Sequence, residues 1–311
     1  MASLLAHRLV ASGALALVTL GAASCQRTAA SNRTVILNRG SDTMINVAQA
    51  WAEAYAKVAP DVSVEVAGGG SGVGLAALID GTVQIANSSR PMKAAEQEAT
   101  RSSRGADAVE HVTGYDALVV YVHAKNPVQS MTLAQLRELF AEGGRITRWS
   151  DFGVRHDACP RDTIIRISRQ SSSGTYDFFR DVALDTRDFK LGTLELNGSK
   201  EVVELVAHTP CAIGYSGMGY ATAGVKMLAL SRDGGPPVAP TAQATLDRSY
   251  PIARPLYMYT VGEPEGETKR YLDWIHSPPG QRIVSAVGYV PLPASETGTV
   301  PAPPTGSEVR Q

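Results

Sequence analysis

Two segments rich in glycine and hydroxyl residues, far apart in the chain, constrain its fold more than any other feature. The first, residues 68–74, follows a strand-like alternation of valines and precedes the apolar residues 75–79; the second, residues 169–175, runs into the helix-like residues 176–180. Each pattern predicts a strand that ends in a tight loop, from which a helix starts. Such loops present backbone N–H groups without helical partners, small hydroxyl donors and the positive end of a helix dipole. Two such loops that converge would form a site for a small oxyanion.

The alternation of strand and helix patterns continues along the chain. It begins with a strand at 35–38 and a helix at 44–59, and it ends with a strand at 256–261 and a helix at 269–277. This order predicts an α/β fold with mostly parallel sheets. Because ligands of such sheets bind beyond the carboxyl ends of the strands, we expect the glycine and hydroxyl loops to lie at a common edge.

The charge and the metal-ligating residues exclude several classes of function. Lys and Arg total 29 against 30 for Asp and Glu, so the net charge is −1 and no basic field for nucleic acid exists. The six histidines are scattered without an HExxH motif, and no cysteine spacing indicates a zinc site. We therefore expect no metal, no cofactor and no nucleic acid, and an anion site made by a few placed donors.

The N-terminal residues are typical of an export signal. A basic group near the start precedes an apolar run that is too short for a comfortable transmembrane span, which predicts a signal peptide over residues 1–24. The run ends in small residues followed by Cys25, as at bacterial lipoprotein processing sites. We expect a lipid anchor on Cys25, a tether over residues 25–34, and a location in the periplasm or at the outer face of the cell membrane. Ordinary signal cleavage with an incidental Cys25 is the alternative.

Two other cysteines, Cys159 and Cys211, remain in the chain. In an exported protein two such cysteines often form a disulfide, and a pair of free thiols is the alternative. The final residues, 293–311, combine several prolines with Ser, Thr and Gly, which predicts a disordered tail.

The candidate anion ligands are residues within or beside the glycine and hydroxyl loops. Hydroxyl and backbone N–H groups supply neutral donors, glycine lets the backbone approach closely, and arginine grips an oxyanion through two parallel hydrogen bonds. The candidates are Ser41, Asp42, Thr43, Gly70, Ser71, Ser89, Arg90, Arg169, Ser173, Gly174 and Thr175.

Common enzymatic motifs do not fit the first loop. Apolar residues occupy the third-glycine positions of a dinucleotide-binding GxGxxG motif, and no Gly-Lys-Ser/Thr follows as in a Walker loop. The GxSxG elbow of hydrolases is also missing, because Val73 stands where its last glycine should be after Ser71. We expect a binding protein and no enzyme; an exported phosphatase or esterase-like hydrolase that uses Ser71 or Ser173 is the alternative.

Several motifs in a fixed order resemble those of one family. Residues 40–43, 69–74, 88–91, 169–179 and 213–215 are similar to segments of the phosphate-binding proteins of bacterial ABC phosphate importers. The resemblance covers most of the chain. It implies a monomeric solute-binding lipoprotein that captures inorganic phosphate and delivers it to the permease and ATPase of an importer.

The resemblance also implies a two-lobed α/β fold of the periplasmic-binding-protein class, type II, with the ligand cleft between the lobes and two hinge crossovers. Lobe 1 would combine residues 35–115 with residues 225–292, and lobe 2 would comprise residues 116–224. The candidates up to Arg90 would then contribute from lobe 1, and those from Arg169 onward from lobe 2.

One position departs from the family pattern. Many members of that family carry Asp where this chain has Ser89, and that Asp accepts the proton of hydrogen phosphate while repelling sulfate. A hydroxyl both accepts and donates, so discrimination against a fully deprotonated anion is less assured. Asp42 or Asp116 is a candidate for the missing acceptor. Another oxyanion, such as sulfate, molybdate or tungstate, therefore remains an alternative ligand.

Overall fold

The computed structural model describes residues 33–232, 234–295 and 297. The strands of this part of the chain are β1 (Thr34–Gly40), β2 (Val62–Ala67), β3 (Ile85–Ser88), β4 (Ala108–His123), β5 (Ser130–Thr132), β6 (Ile165–Arg169), β7 (Leu194–Leu196), β8 (Ala212–Gly217), β9 (Val225–Met227), β10 (Ala229–Ser231) and β11 (Ala253–Val261). Its helices are α1 (Ile45–Val58), α2 (Ser71–Ile79), α3 (Ala94–Arg104), α4 (Leu133–Phe140), α5 (Gly174–Ala183), α6 (Ser199–His208), α7 (Ala242–Leu246), α8 (Gly266–His276) and α9 (Pro278–Ala286). Short 3₁₀ turns lie between α4 and β6, at Trp149–Phe152, and directly after β8, at Met218–Tyr220.

One long sheet runs through the protein in the strand order β2-β1-β3-β11-β4-β8-β6-β7, with β9 also paired to β4. The strands at both ends of this order pair in parallel, as β1 does with β2 and β3, and β6 with β7 and β8. The central strands β11 and β4 pair antiparallel with each other and with their outer neighbours. The sheet as a whole is therefore mixed, with an antiparallel centre, where the sequence pattern predicted mostly parallel pairing.

The described residues form three hydrophobic clusters, two in lobe 1 and one in lobe 2. The larger cluster of lobe 1 includes Ile36 and Trp51 and is closed by α8 and α9, and the smaller one includes Leu75 and Tyr257. The core of lobe 2 includes Trp149, Phe179 and Tyr215. The strand β4 belongs to both lobes, because its first half pairs with β11 and its second half pairs with β8. The first crossover between the lobes therefore lies within β4.

The second crossover lies at the start of β11, later than the expected boundary at residue 225. The strand β9 pairs with the lobe 2 half of β4, and β10 pairs with β5. Tyr250 and Ile252 are buried in the lobe 2 core. Residues 225–252 thus pack with lobe 2 and not with lobe 1. Strands of three residues carry too short a pattern to indicate which sheet they join.

The structure joins Cys159 and Cys211 in a disulfide within lobe 2. No helix of the described residues is long and apolar enough to cross a membrane. The strand β1 already begins at Thr34, the last residue of the expected tether. The expected signal peptide, Cys25, the tether up to residue 32 and most of the C-terminal tail lie outside the described residues.

Candidate functional site

Four helices begin at one buried group of hydroxyl side chains between the lobes. Helix α1 follows the Ser41–Thr43 turn, α2 begins at Ser71, α5 begins one residue after its cap Ser173, and α6 begins at Ser199. The hydroxyls that hydrogen bond to one another there are called the hydroxyl cluster: Ser41, Thr43, Ser71, Ser89, Thr175 and Ser199. Each of these residues is at most 2% exposed. Four helix N-termini favour negative charge at this place.

Ser89 is the most connected member of the hydroxyl cluster. Its Oγ accepts a hydrogen bond from Ser41 Oγ at 3.0 Å and lies 3.4 Å from Ser71 Oγ and 3.5 Å from Thr175 Oγ1. Its N–H donates to Ser71 Oγ at 3.1 Å. Across the lobes, the hydroxyls of Thr43 and Thr175 approach to 2.6 Å. The cluster therefore joins three loops of lobe 1 to the first turn of α5 in lobe 2.

Two glycines allow the loops to meet. A Cβ at Gly174 would lie 2.3 Å from Ser71 Oγ, so any side chain there would enter the hydroxyl cluster. Gly70 has φ +98°, and a Cβ there would lie 2.5 Å from the carbonyl oxygen of Ser172. The N–H of Gly70 donates to the Gly40 carbonyl at 3.0 Å. In this structure Gly70 thus serves the packing of two loops, and its N–H is already paired.

Arg169 brings a positive charge to the hydroxyl cluster from the end of β6. Its side chain is fully buried, and Nη1 donates to Ser199 Oγ at 2.7 Å. Nη2 donates to Asp42 Oδ2 at 3.2 Å and to the Asn197 carbonyl at 2.6 Å. Burial lowers the pKa of the Arg169 guanidinium from its ordinary value, and the charge of Asp42 opposes that shift. The Asn197 carbonyl, in the loop before α6, and the Asp42 carboxylate of lobe 1 together hold this guanidinium in place.

The two candidate carboxylates are both paired with arginine. Asp42 accepts the Gly69 N–H on Oδ1 at 2.9 Å and Arg169 on Oδ2. Asp116 is fully buried, and its Oδ2 accepts from Nε and Nη2 of Arg254 at 3.0 and 2.8 Å. Each carboxylate therefore already has a cationic partner within the protein.

Arg254 and Ser199 are site residues that the sequence motifs did not reveal. Arg254 in β11 is 2% exposed, and it donates to Thr175 Oγ1 at 3.1 Å and to the Ser89 carbonyl at 3.0 Å. An arginine in an otherwise apolar strand is expected to be buried and to need a polar partner. This pattern is the sequence signal that could have identified Arg254 as a site residue. For Ser199 the signal was a serine at the start of a predicted helix. Both lie in segments without a glycine-rich motif.

Arg90, a candidate anion ligand, points its guanidinium away from the hydroxyl cluster. Its guanidinium makes hydrogen bonds to both carboxylate oxygens of Glu96, to Asp177 and to the Pro91 carbonyl, at 2.7 to 2.9 Å. Ser173 supports the site indirectly, because its Oγ accepts the Thr175 N–H at 3.2 Å and caps α5.

The arrangement suits an oxyanion. A group of neutral hydroxyls, helix N-termini and a buried guanidinium offers many hydrogen-bond donors in an enclosed place, which is what a small tetrahedral anion requires. Among the described residues no group of three or more His, Cys, Asp or Glu could hold a metal ion. Two lobes, two crossovers and an enclosed polar site between them define a two-lobed ligand-binding protein.

Comparison with known proteins gives the family. A model of the PBP superfamily domain matches residues 27–279. The chain is 34% identical over 266 residues to the phosphate-binding protein PstS of Pseudomonas aeruginosa, covering 82% of each, and 35% identical over 257 residues to PstS of Bacillus subtilis, covering 81% of this chain and 79% of that one. This chain belongs to the PBP superfamily and, within it, to the family of the PstS phosphate-binding proteins.

A solved structure supports the same grouping. It is a substrate-binding protein of a phosphate ABC transporter from Clostridium perfringens, determined with bound phosphate. Its TM-score against this chain is 0.74 at 28% identity, and the match covers 84% of this chain and all of the other.

Proposed function

We propose that this protein captures inorganic phosphate outside the cytoplasm and delivers it to an ABC importer. The observation that carries the proposal is the hydroxyl cluster with Arg169, buried between two lobes in a chain of the PstS family. Uncharged donors at helix N-termini can hold a dehydrated anion without a counter-ion, and a buried guanidinium adds charge-assisted bonds.

Binding would exchange hydrogen bonds within the protein for hydrogen bonds to the anion. The hydroxyls of Thr43 and Thr175 now bond to each other across the lobes. A phosphate between them would accept from both, and from Ser41, Ser71 and Arg169. Because donors come from both lobes, the anion would favour the closed arrangement, which is the differential affinity that a hinge motion requires.

We propose a stoichiometric binder and not a hydrolase. Ser71 Oγ hydrogen bonds with Ser89, and Ser173 Oγ accepts the N–H of Thr175. These partners offer no general base, which a serine nucleophile needs. A transport role also fits the similar proteins of Pseudomonas aeruginosa and Bacillus subtilis, which are phosphate-binding proteins.

Selectivity for hydrogen phosphate needs a proton acceptor in the site, and the two carboxylates there are already paired with arginines. We propose that the Ser89 hydroxyl accepts the proton of hydrogen phosphate. The same hydroxyl could donate to sulfate, so sulfate, molybdate or tungstate is the second candidate class of ligand. If Asp42→Asn and Asp116→Asn both leave the preference for phosphate over sulfate unchanged, neither carboxylate is the filter.

The decisive experiment is isothermal titration calorimetry of the mature protein after removal of any co-purified phosphate. Phosphate, arsenate, sulfate and molybdate are titrated in turn, and we expect one phosphate per chain with weaker binding of sulfate. A thermal-shift series should agree, since a ligand of the folded state raises the melting temperature. No heat with phosphate, together with a clear isotherm for another oxyanion, would reassign the ligand.

The proposed location rests on the N-terminal sequence. We propose that Cys25 is acylated after signal cleavage and anchors a monomer at the outer face of the membrane. Labelled fatty acid should be incorporated into the wild type and not into Cys25→Ser, which should leave the membrane fraction. Equal labelling of the two would refute the anchor at this residue.

A further inference from the structure

Four charged residues form a second contact between the lobes, next to the hydroxyl cluster. Arg90, Lys93 and Glu96 belong to lobe 1, in the segment from the end of β3 into α3, and Asp177 lies in the first turn of α5 in lobe 2. Asp177 Oδ2 accepts from Arg90 Nε at 2.9 Å and from Lys93 Nζ at 3.0 Å. We call this group the interlobe ionic cluster.

Glu96 fixes the direction of the Arg90 guanidinium. Its two oxygens accept from Nη1 and Nη2 of Arg90 at 2.8 and 2.7 Å, which is a two-point contact within lobe 1. Glu96 is itself held, because its Oε2 also accepts the Lys93 N–H at 2.8 Å. The Nε edge of Arg90 is thereby left facing Asp177, and its side chain is only 6% exposed.

We propose that the interlobe ionic cluster is a latch that stabilises the closed arrangement of the lobes. The proposal rests on the proposed function, in which phosphate binds between the closed lobes. Asp177 is two residues from Thr175, and Arg90 directly follows Ser89. The latch therefore joins the same two segments that carry central hydroxyls of the site, and closing the latch brings those hydroxyls together.

The latch is reversible because opening leaves no buried charge without a partner. If the lobes separate, Arg90 keeps both bonds to Glu96 within lobe 1. Asp177 would enter solvent at the N-terminal turn of α5, where a carboxylate is favoured by the helix dipole. The closed state thus gains an ion pair at little cost to the open state.

Asp177→Asn tests the latch because it removes the lobe 2 charge while Arg90 retains Glu96. Calorimetry should show a phosphate Kd about three- to tenfold higher than in the wild type, which is the range expected for one partly buried ion pair. Stopped-flow measurements should place the loss in faster phosphate release, with the association rate little changed. The matched control is Asp181→Asn, an exposed carboxylate one turn along the same helix, which should bind as the wild type does.

Two further measurements separate a latch from a general structural role. The melting temperature without phosphate should be nearly the same in Asp177→Asn and the wild type, while the upward shift produced by phosphate should be smaller. Asp177→Glu keeps the charge and should recover part of the affinity. Lys93→Met, at an exposed position, should weaken binding less than Asp177→Asn does.

The outcomes are distinct from those that test the proposed function. If the wild type binds phosphate and Asp177→Asn has the same Kd and release rate, the latch is refuted and the proposed function stands. If Asp177→Asn and Asp181→Asn weaken binding equally, the effect is one of net charge, and the latch is again refuted. If the wild type gives no phosphate isotherm, the proposed function fails first.

Discussion

The hydroxyl cluster and the interlobe ionic cluster use the same two segments of the chain but different chemistry. The exit of β3 supplies Ser89 to the first and Arg90 to the second. The first turns of α5 supply Thr175 to the first and Asp177 to the second. The hydroxyls thus meet in the buried site, where the Arg169–Asp42 and Arg254–Asp116 pairs also lie, and the interlobe ionic cluster lies at the rim of that site.

This difference separates recognition from closure. Hydroxyls have no fixed charge, so they can turn from one another toward an anion and can donate or accept. In the Arg90–Asp177 pair, by contrast, each charge is already satisfied by its partner without a ligand. Because the charges of the interlobe ionic cluster pair with one another, they can stabilise closure without contacting Arg169, whose carboxylate partner is Asp42.

The largest effect is expected from Arg169→Ala, because Arg169 contacts the hydroxyl cluster and Arg90 does not. Loss of a buried, hydrogen-bonded charge should weaken phosphate binding by about 2–5 kcal/mol, while Arg90→Gln should cost much less. Calorimetry measures both. Arg166→Ala, on the same strand but bonded to Leu191 and Thr193, is the matched control and should leave affinity unchanged. Equal losses for Arg169→Ala and Arg90→Gln would refute the division of roles.

A smaller effect is expected from Thr175→Val, which keeps the shape of the side chain and removes the hydroxyl. Arg254 and Thr43 would each lose a partner, so phosphate affinity should fall by about 1–2 kcal/mol. The control is Thr245→Val, a buried threonine of lobe 2 whose hydroxyl donates to Thr241. It should lower the unfolding free energy without changing phosphate affinity; wild-type affinity in Thr175→Val would contradict the proposed site.

The loops were predictable because their signals are local. Glycine and hydroxyl residues between a strand and a helix mark the turn whatever the rest of the chain does. The start of the first such helix was less accurate, since α2 begins at Ser71 and its pattern suggested a start near Leu75. The glycines at 72 and 74 hide the helical pattern, although Ser71 is already the first residue of α2.

The partners of the loops were not predictable because they come from distant parts of the chain. Arg254 reaches Thr175 and Asp116 only because β11 lies beside β4 in the sheet, and no local pattern states that pairing. Arg90 is predicted to belong to the site because it adjoins Ser89, yet in the bend after β3 its side chain turns to Glu96 and Asp177. Its carboxylate partners, in α3 and α5, are the residues that reveal its direction.

The smallest expected effect is a pH dependence of stability that arises from Glu96 in the interlobe ionic cluster. Burial favours a higher pKa for Glu96, but the hydrogen bonds from Arg90 and the Lys93 N–H, with the charge of Arg90, outweigh it and hold the pKa below its ordinary value. A folded-state pKa below the unfolded value, which is about 4.3, gives stability that is present above that pH. That stability is lost as the pH falls through the folded-state pKa.

Glu96→Gln should therefore be modestly less stable than the wild type at pH 7, and the difference should shrink as the pH falls below about 4. Urea unfolding across this range measures it. Glu98→Gln, an exposed carboxylate on the same helix, is the matched control and should follow the wild-type profile. At pH 7 Glu96→Gln should also weaken phosphate binding slightly, because Arg90 is no longer held toward Asp177. If Glu96→Gln lowers stability but leaves phosphate affinity unchanged, Glu96 stabilises lobe 1 alone and has no part in closing the lobes.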